Sequence, residues 1–385
     1  MFILLMLSML VGCGGTGASD LADSSAQSYG DAPPATAADA SAASAVAQPR
    51  FAAPVAYAES TPSESVVTAD FDGDGKLDLA FSDSSRAKVS VLLGQGDGTF
   101  APPVEYPAGD SNRFVATGDL NSDGKPDLVL VDGNSSSACI LLNRGAGTFA
   151  APLKVMVGYN PLTVAIADFN GDGKPDLATN DGSHDIAVLL NDGVGGFAAP
   201  VDYETESFPH AVAAGDFNND NRPDLAYAAD ESYIGVLLNQ GSGFTPSRFV
   251  TGYHASGVAV GDFNGDGLVD VAAANDYADN VSVLINQGKG TFAAPVKYAV
   301  PAGSHPSSVA KGDFNGDGQP DLVVASTGVL VLPNTGNARF TKPVELAAAG
   351  GMVEGIAVGD FNGDGWDDIA AAQSLGVTVL LNSRN

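Results

Sequence analysis

An all-β fold, a seven-bladed β-propeller, is what this 385-residue sequence predicts, and three observations carry the prediction. A nine-residue segment, Asp168-Phe169-Asn170-Gly171-Asp172-Gly173-Lys174-Pro175-Asp176 in its third copy, is written seven times, opening at Asp70, Asp119, Asp168, Asp216, Asp262, Asp313 and Asp360. Successive openings lie 49, 49, 48, 46, 51 and 47 residues apart, a period that favours one repeat architecture over several unrelated domains. Between copies stand short apolar or alternating runs punctuated by Gly, Asn and Asp, with no helical period. Four antiparallel strands per unit of this length is the propeller pattern, one unit per blade.

In chain order, Phe2 to Met9 is an apolar run followed by Leu10-Val11-Gly12-Cys13. It is too short to span a membrane as a helix and reads as an export signal. The Leu-Val-Gly-Cys ending resembles that of a bacterial lipoprotein signal, which implies a lipid on Cys13 and places 1–13 as a signal segment. Residues 14–49 are almost entirely Gly, Ala, Ser, Thr, Asp, Pro and Gln. Such a segment has too little apolar surface to offset its ordering entropy, so it reads as a disordered tether. The propeller is expected over 50–385.

Each unit then repeats four parts. In the third, Val164-Ala165-Ile166-Ala167 runs into the Asp-rich loop and Leu177-Ala178-Thr179-Asn180 leaves it. Ile186 to Leu190 is the third strand, and a Gly-rich turn leads to a fourth, Phe197 to Tyr203. First strands carry small residues, as convergence on a central channel requires. The Phe after each opening Asp (Leu120 in the second copy) is suited to wedge between blades. The last unit stops after its third strand, near Val377 to Leu381, and a fourth-strand sequence, Phe51 to Tyr57, stands at the other end of the body. An N-terminal strand completing the last blade would remove an open sheet edge.

The loops carry the chemistry. Oxygen-bearing side chains occupy position 1 (the seven opening Asp) and position 3: Asp72, Asn121, Asn170, Asn218, Asn264, Asn315 and Asn362. Position 5 holds Asp74, Asp123, Asp172, Asp220, Asp266, Asp317 and Asp364, and position 9 holds Asp78, Asp127, Asp176, Asp224, Asp270, Asp321 and Asp368. A ladder of short carboxylates at odd positions folds around a hard, oxygen-seeking cation such as Ca²⁺. Position 7 offers its backbone carbonyl whatever its side chain, at Lys76, Lys125, Lys174, Arg222, Leu268, Gln319 and Trp366. Position 6, Gly except for Asn221, supplies the left-handed turn. About seven structural Ca²⁺ ions are expected. An EF-hand would need Glu at position 12, and none of the seven has it.

Net charge is −29, and the loop side chains hold 22 of the 46 acidic residues. Seven Ca²⁺ would leave about −15, still acidic, which argues against nucleic acid and anionic membrane surfaces as partners. Membrane association is then expected only through the lipid, and the body is expected to be monomeric. Of two cysteines, Cys139 sits in a strand-like run and reads as a small buried hydrophobe.

The repeat, Asp-Phe-Asn-Gly-Asp-Gly-Lys-Pro-Asp-Leu with Gly-Thr-Phe-Ala-Ala-Pro-Val one strand pair later, resembles the FG-GAP family, as in integrin α-subunit propellers, and its bacterial VCBS-repeat relatives. The resemblance implies a seven-bladed propeller with Ca²⁺ held in the loop joining the two inner strands of a blade. Integrin propellers carry such loops in only a few blades, whereas every unit has one here.

In this strand order the Asp-rich loops and Gly-rich turns share one end, and the more divergent connections share the other. Candidate ligand-binding residues at that variable end are Arg113, Phe114, Tyr159, His184, His210, Tyr233, Tyr253, His254, Tyr277 and His305. Variable loops on a rigid scaffold are where recognition usually resides, and aromatics among carboxylates suit a sugar or a peptide. The expected function is an extracellular binding or adhesion module for carbohydrate or protein, exported to the outer membrane or cell surface. A polysaccharide-active lyase or hydrolase, or a purely structural envelope protein, are the alternatives. No catalytic motif is legible; His184 with Asp185, or His254 with Asp230 or Asp276, could form an acid/base pair.

Overall fold

We describe the fold from a computed structural model, over residues 48–57, 62–83, 85–109, 111–346 and 351–383. Cys13, the signal segment and the tether as far as residue 47 lie outside the described residues. The others fall in one compact unit, Val46–Asn385.

Seven four-stranded antiparallel sheets follow one another, each a blade. In the third, Val164–Ala167, Asp176–Asp181, Asp185–Leu189 and Val201–Glu204 pair in sequence order. The second strands are buried along their length and the fourth strands are mostly exposed, so the core lies toward the middle of each blade. In the seventh blade, Val353–Gly359, Asp368–Gln373 and Gly376–Leu380 are joined by Val55–Tyr57, with Val55 opposite Val379 and Tyr57 opposite Val377.

Apolar side chains gather in seven clusters, each shared by two neighbouring blades. The residue after every opening Asp is buried among them: Phe71, Leu120, Phe169, Phe217, Phe263, Phe314 and Phe361. Each such ring removes its apolar area from water, about 2 kcal/mol or more apiece, so blade stacking carries much of the stability. First strands approach one another closely around the axis. A Cβ on Gly257 would stand 2.8 Å from the Ser308 Cα of the next blade, which explains the small residues there.

The fourth strands are shorter than the sequence suggests. Val201–Glu204 begins after Pro200, which has no N–H for a ladder. Phe197 instead makes an isolated bridge to Asn191 and packs against the core between the second and third blades. The N-terminal segment behaves alike, with Phe51 bridging Asn382 ahead of Val55–Tyr57.

A side-chain staple links the blades. Asn191, at the end of a third strand, donates through Nδ2 to the carbonyl of Leu120 in the preceding blade (2.8 Å) and to that of Pro175 in its own loop (2.7 Å). Asn143, Asn239, Asn286, Asn334 and Asn382 repeat it, reaching the carbonyls of Phe71, Phe169, Phe217, Phe263 and Phe314. The first blade has Gly94 at this position, so the interface between the seventh and first blades lacks the staple. A Cβ on Gly94 would lie 2.1 Å from the Leu77 carbonyl oxygen.

Candidate functional site

At one end, the loop amides shape each Asp-rich loop. Asp70 Oδ1 accepts the N–H of Gly73 (2.7 Å) and of Asp74 (3.1 Å), and its Oδ2 accepts that of Gly75 (2.8 Å). Asp72 accepts from Asp74, and Asp74 from Lys76. The same pattern recurs around Asp168, Asp262, Asp313 and Asp360. Position 6 is left-handed as its residue type predicts, with Gly75 at φ 84° and Asn221 at φ 63°. Position 4 is left-handed too, at Gly73, Ser122, Gly171, Asn219, Gly265, Gly316 and Gly363, which the sequence reading did not single out.

The position-9 aspartates are fully buried. Asp78 Oδ2 accepts the N–H of Phe71 and its Oδ1 that of Gly94, both at 2.7 Å, tying the loop to the third strand. Burial raises the Asp78 carboxyl to about 6, its two amide donors oppose the rise, and the neighbouring Asp72 and Asp70 add to it. Asp127, Asp224 and Asp270 are likewise raised to about 6, and Asp321 and Asp368 to about 7, for the same first cause. In the first loop Asp70, Asp72 and Asp78 each bring an oxygen to within 4.8 Å of the others. Such an all-oxygen, carboxylate-rich set suits a hard divalent cation, and the two amides on Asp78 leave further lone pairs for one. Of the position-7 side chains, Lys76, Lys125, Lys174 and Arg222 pair with the position-5 aspartates Asp74, Asp123, Asp172 and Asp220 (2.8, 2.9, 3.4 and 2.5 Å).

The other end gathers the histidines. His210 is the second residue of the fourth blade's first strand, Pro209–Gly215, and Asp230 follows its second strand, Asp224–Ala229. His254 precedes the fifth blade's first strand, Ala255–Gly261, and Asp276 opens a single 3-10 turn, Asp276–Ala278. His210 Nε2 lies 2.6 Å and His254 Nε2 3.1 Å from the same oxygen, Asp230 Oδ1. Asp276 Oδ1 lies 2.8 Å from His305 Nδ1, and its Oδ2 lies 3.7 Å from His254 Nδ1.

Ring contacts extend this arrangement into an arc across four blades. His184 meets Phe208, Phe208 meets His210, His210 meets His254, and His254 lies 4.5 Å from Tyr277 between centroids. Tyr277 also contacts Tyr253 and His305. Tyr253 and Tyr277 are 60% and 59% exposed, presenting ring surface to solvent. Arg113 and Tyr159 are exposed, and Phe114 is half-buried; among the described residues no ring contact joins them to the arc.

Tyr233 departs from the sequence reading. It is the first residue of Tyr233–Asn239, only 3% exposed, with its ring turned into the core against Tyr227, so it offers no surface to a ligand. The central channel that the small first-strand residues imply is present as an axial cavity of about 260 Å³, lined by residues in or just before the first strands of all seven blades. Glu64, Phe114, Ala211, Ser256 and Glu354 are among its lining residues, so it adjoins His210 and His254 along the chain. The Glu354 carboxyl is raised by burial, with Glu64 adding to the rise.

Two kinds of likeness bear on this architecture. Residues 70–130, 119–179, 168–227, 216–273 and 262–324 match the FG-GAP-like repeat, and residues 352–380 match the FG-GAP repeat. No curated protein matches significantly. Among solved structures, BBS1N, crystallised in complex with ARL6DN and soaked with mercury, is similar over 88% of this chain and 98% of that one, at 16% identity and a TM-score of 0.63. An Agrocybe aegerita lectin that recognises non-reducing terminal N-acetylglucosamine is 20% identical over 85% of this chain and 86% of its own, with a TM-score of 0.55. A catalytically inactive virginiamycin B lyase from Staphylococcus aureus, with quinupristin, is 14% identical over 86% and 99%, with a TM-score of 0.57. At these identities the solved structures speak for the fold alone. The repeat matches run through most of the body, and the chain belongs to the FG-GAP repeat family.

Proposed function

We propose that the protein is a Ca²⁺-stabilised binding module whose variable end takes a carbohydrate or protein ligand outside the cell, with the body tethered through a lipid on Cys13. The observation that carries the calcium reading is the burial of an aspartate at position 9 of every loop. Buried carboxylates are ordinarily paired or bound to metal, and these stand beside further carboxylates that raise them. A Ca²⁺ ion on positions 1, 3, 5 and 9 and the position-7 carbonyl would supply the missing positive charge. The strand Val55–Tyr57 then serves as the clasp that holds the last blade and so the ring.

The binding reading rests on the exposed aromatic arc. Tyr253, Tyr277 and the imidazoles beside them offer flat faces among carboxylates, the surface on which a sugar ring stacks and hydrogen-bonds. The fold is compatible with both kinds of neighbour, since one similar propeller is a lectin and another a lyase. Among the described residues, the feature favouring an enzyme is the His210–Asp230–His254 cluster, which joins two imidazoles to one carboxylate.

Two measurements test the proposal. At millimolar Ca²⁺ and a Kd of about 10⁻⁴ M, each site contributes ~1.4 kcal/mol, or about 10 kcal/mol for seven, so excess EGTA should lower the Tm by well over ten degrees. An unchanged Tm in EGTA sinks the metal reading. A glycan array probed with the Ca²⁺-loaded body should give hits that Tyr277→Ala and Tyr253→Ala weaken; hits indifferent to both would move the ligand site off the arc.

A further inference from the structure

We propose that His210, Asp230 and His254 form a binding site for a borderline divalent cation of the zinc class. It lies at the opposite end of the blades from the Asp-rich loops and is independent of the calcium reading. Ligand atoms of the three residues lie within 4.8 Å of one another. Both imidazole Nε2 atoms converge on one carboxylate oxygen from separate segments, at 2.6 and 3.1 Å. Four donors around a tetrahedral ion with bonds of about 2.1 Å stand ~3.4 Å apart, so each imidazole would need to draw back from Asp230 Oδ1 by less than an ångström. Two nitrogens and one oxygen select a zinc-like ion over Ca²⁺, which takes six or more oxygens.

A second observation concerns the other nitrogen of His254. Its Nδ1 is buried with no hydrogen-bond partner. With the proton on Nε2, donated to Asp230, that nitrogen is an orphaned acceptor facing the Asp276 carboxylate 3.7 Å away. A metal on Nε2 moves the proton to Nδ1, where it points toward Asp276, the carboxylate–histidine–metal arrangement that orients a ligating imidazole. Asp276 is held from its far side by His305 Nδ1 at 2.8 Å. The backbone is also committed, since His254 sits at φ 58°, with its carbonyl accepting the N–H of Asp276 at 2.9 Å. Three protein ligands leave a fourth position, and Asp230, 43% exposed, puts it within reach of a carboxylate or carbonyl oxygen arriving at this end.

The test uses the full chain in millimolar Ca²⁺, so that oxygen-only sites are filled. Titration with Co²⁺, followed by visible absorption, should show one ion per chain, displaced by Zn²⁺ and not by further Ca²⁺. His210→Ala and His254→Ala should each weaken binding at least about 100-fold, and Asp276→Asn about 10- to 100-fold. His184→Ala, at the same end but outside the cluster, should leave the Co²⁺ affinity unchanged. Zn²⁺ should also raise the Tm of the wild type, and Asp230→Asn, which keeps shape and hydrogen bonding, should abolish the rise. Absence of binding, Co²⁺ displaced by Ca²⁺, equal weakening by His184→Ala, or a Zn²⁺ response kept in Asp230→Asn would each overturn the assignment.

Discussion

Replacing Asn191 by Ala should destabilise the whole ring although Asn191 lies at the opposite end of the blades from the aromatic arc. It is 4% exposed and makes three side-chain hydrogen bonds. Its Nδ2 serves the carbonyls of Leu120 and Pro175, at 2.8 and 2.7 Å, and its Oδ1 accepts the N–H of Gly193 at 2.8 Å. Alanine preserves the backbone bond to Asp176 and deprives those three groups of their partner. A buried polar group left unpaired costs about 1–3 kcal/mol, and with partial solvent access at the loop the lower figure applies, so the sum is about 3 kcal/mol.

An unfolding entropy of ~2.1 cal/mol/K per residue over roughly 340 residues is ~0.7 kcal/mol/K, so 3 kcal/mol lowers the Tm by about 4 °C. Calorimetry in millimolar Ca²⁺ reads this directly. Asn191→Asp should do worse, because its carboxylate would face two carbonyl oxygens. Asn334→Ala, on a distant interface, should add to Asn191→Ala nearly in full. A shift below 1 °C for Asn191→Ala, or Asn191→Asp as stable as wild type, would refute the staple.

The interface without a staple, between the seventh and first blades, is where strand Val55–Tyr57 joins the last blade, and a chain starting at Ala58 tests it. It would lose the pairing of Val55–Tyr57 with Val377–Val379, the bond from Ala52 N to Leu381 O, and the packing of Tyr57 on Phe100. It should aggregate or melt far below a chain starting at Pro49, and equal stability of the two would show that the strand is no clasp. Glu354→Gln should raise the Tm at neutral pH. The Glu354 pKa is raised by burial and by Glu64, so stability from this group is present at low pH and is lost as pH rises through the folded value. The gain should therefore vanish near pH 4, and a gain independent of pH would refute this account.

How much of this was legible in the sequence depends on whether a feature repeats. The blade count, loop end and variable end follow from a segment copied seven times, and the wedge at Phe71 and its six counterparts follows from its fixed place after the opening Asp. Two repeated features were visible and still went unread. Position 4 holds Gly in five loops, a left-handed signal as plain as position 6. The six staple asparagines look like turn residues because Asn commonly opens turns, and nothing local says that the amide reaches a neighbouring blade. The variable end differs in kind. Its residues do not repeat, so the sequence offers His254 with Asp230 or Asp276 only as bare possibilities, and the folded ring shows that His210 joins His254 on Asp230 while Arg113 and Tyr159 stand apart. Tyr233 and Tyr277 show how little separates exposed surface from core. Both come from the connection between second and third strands, of the fourth and fifth blades. Tyr277 stays in a 3-10 turn and is exposed, whereas Tyr233 is drawn into the strand at an inward position. In a strand one residue of offset reverses the face, and Tyr227, whose ring occupies the space that a side chain at Gly235 would fill, completes the inward packing. Which residues face solvent at this end is therefore set by offsets within connections of unequal length, below the resolution of a repeat pattern.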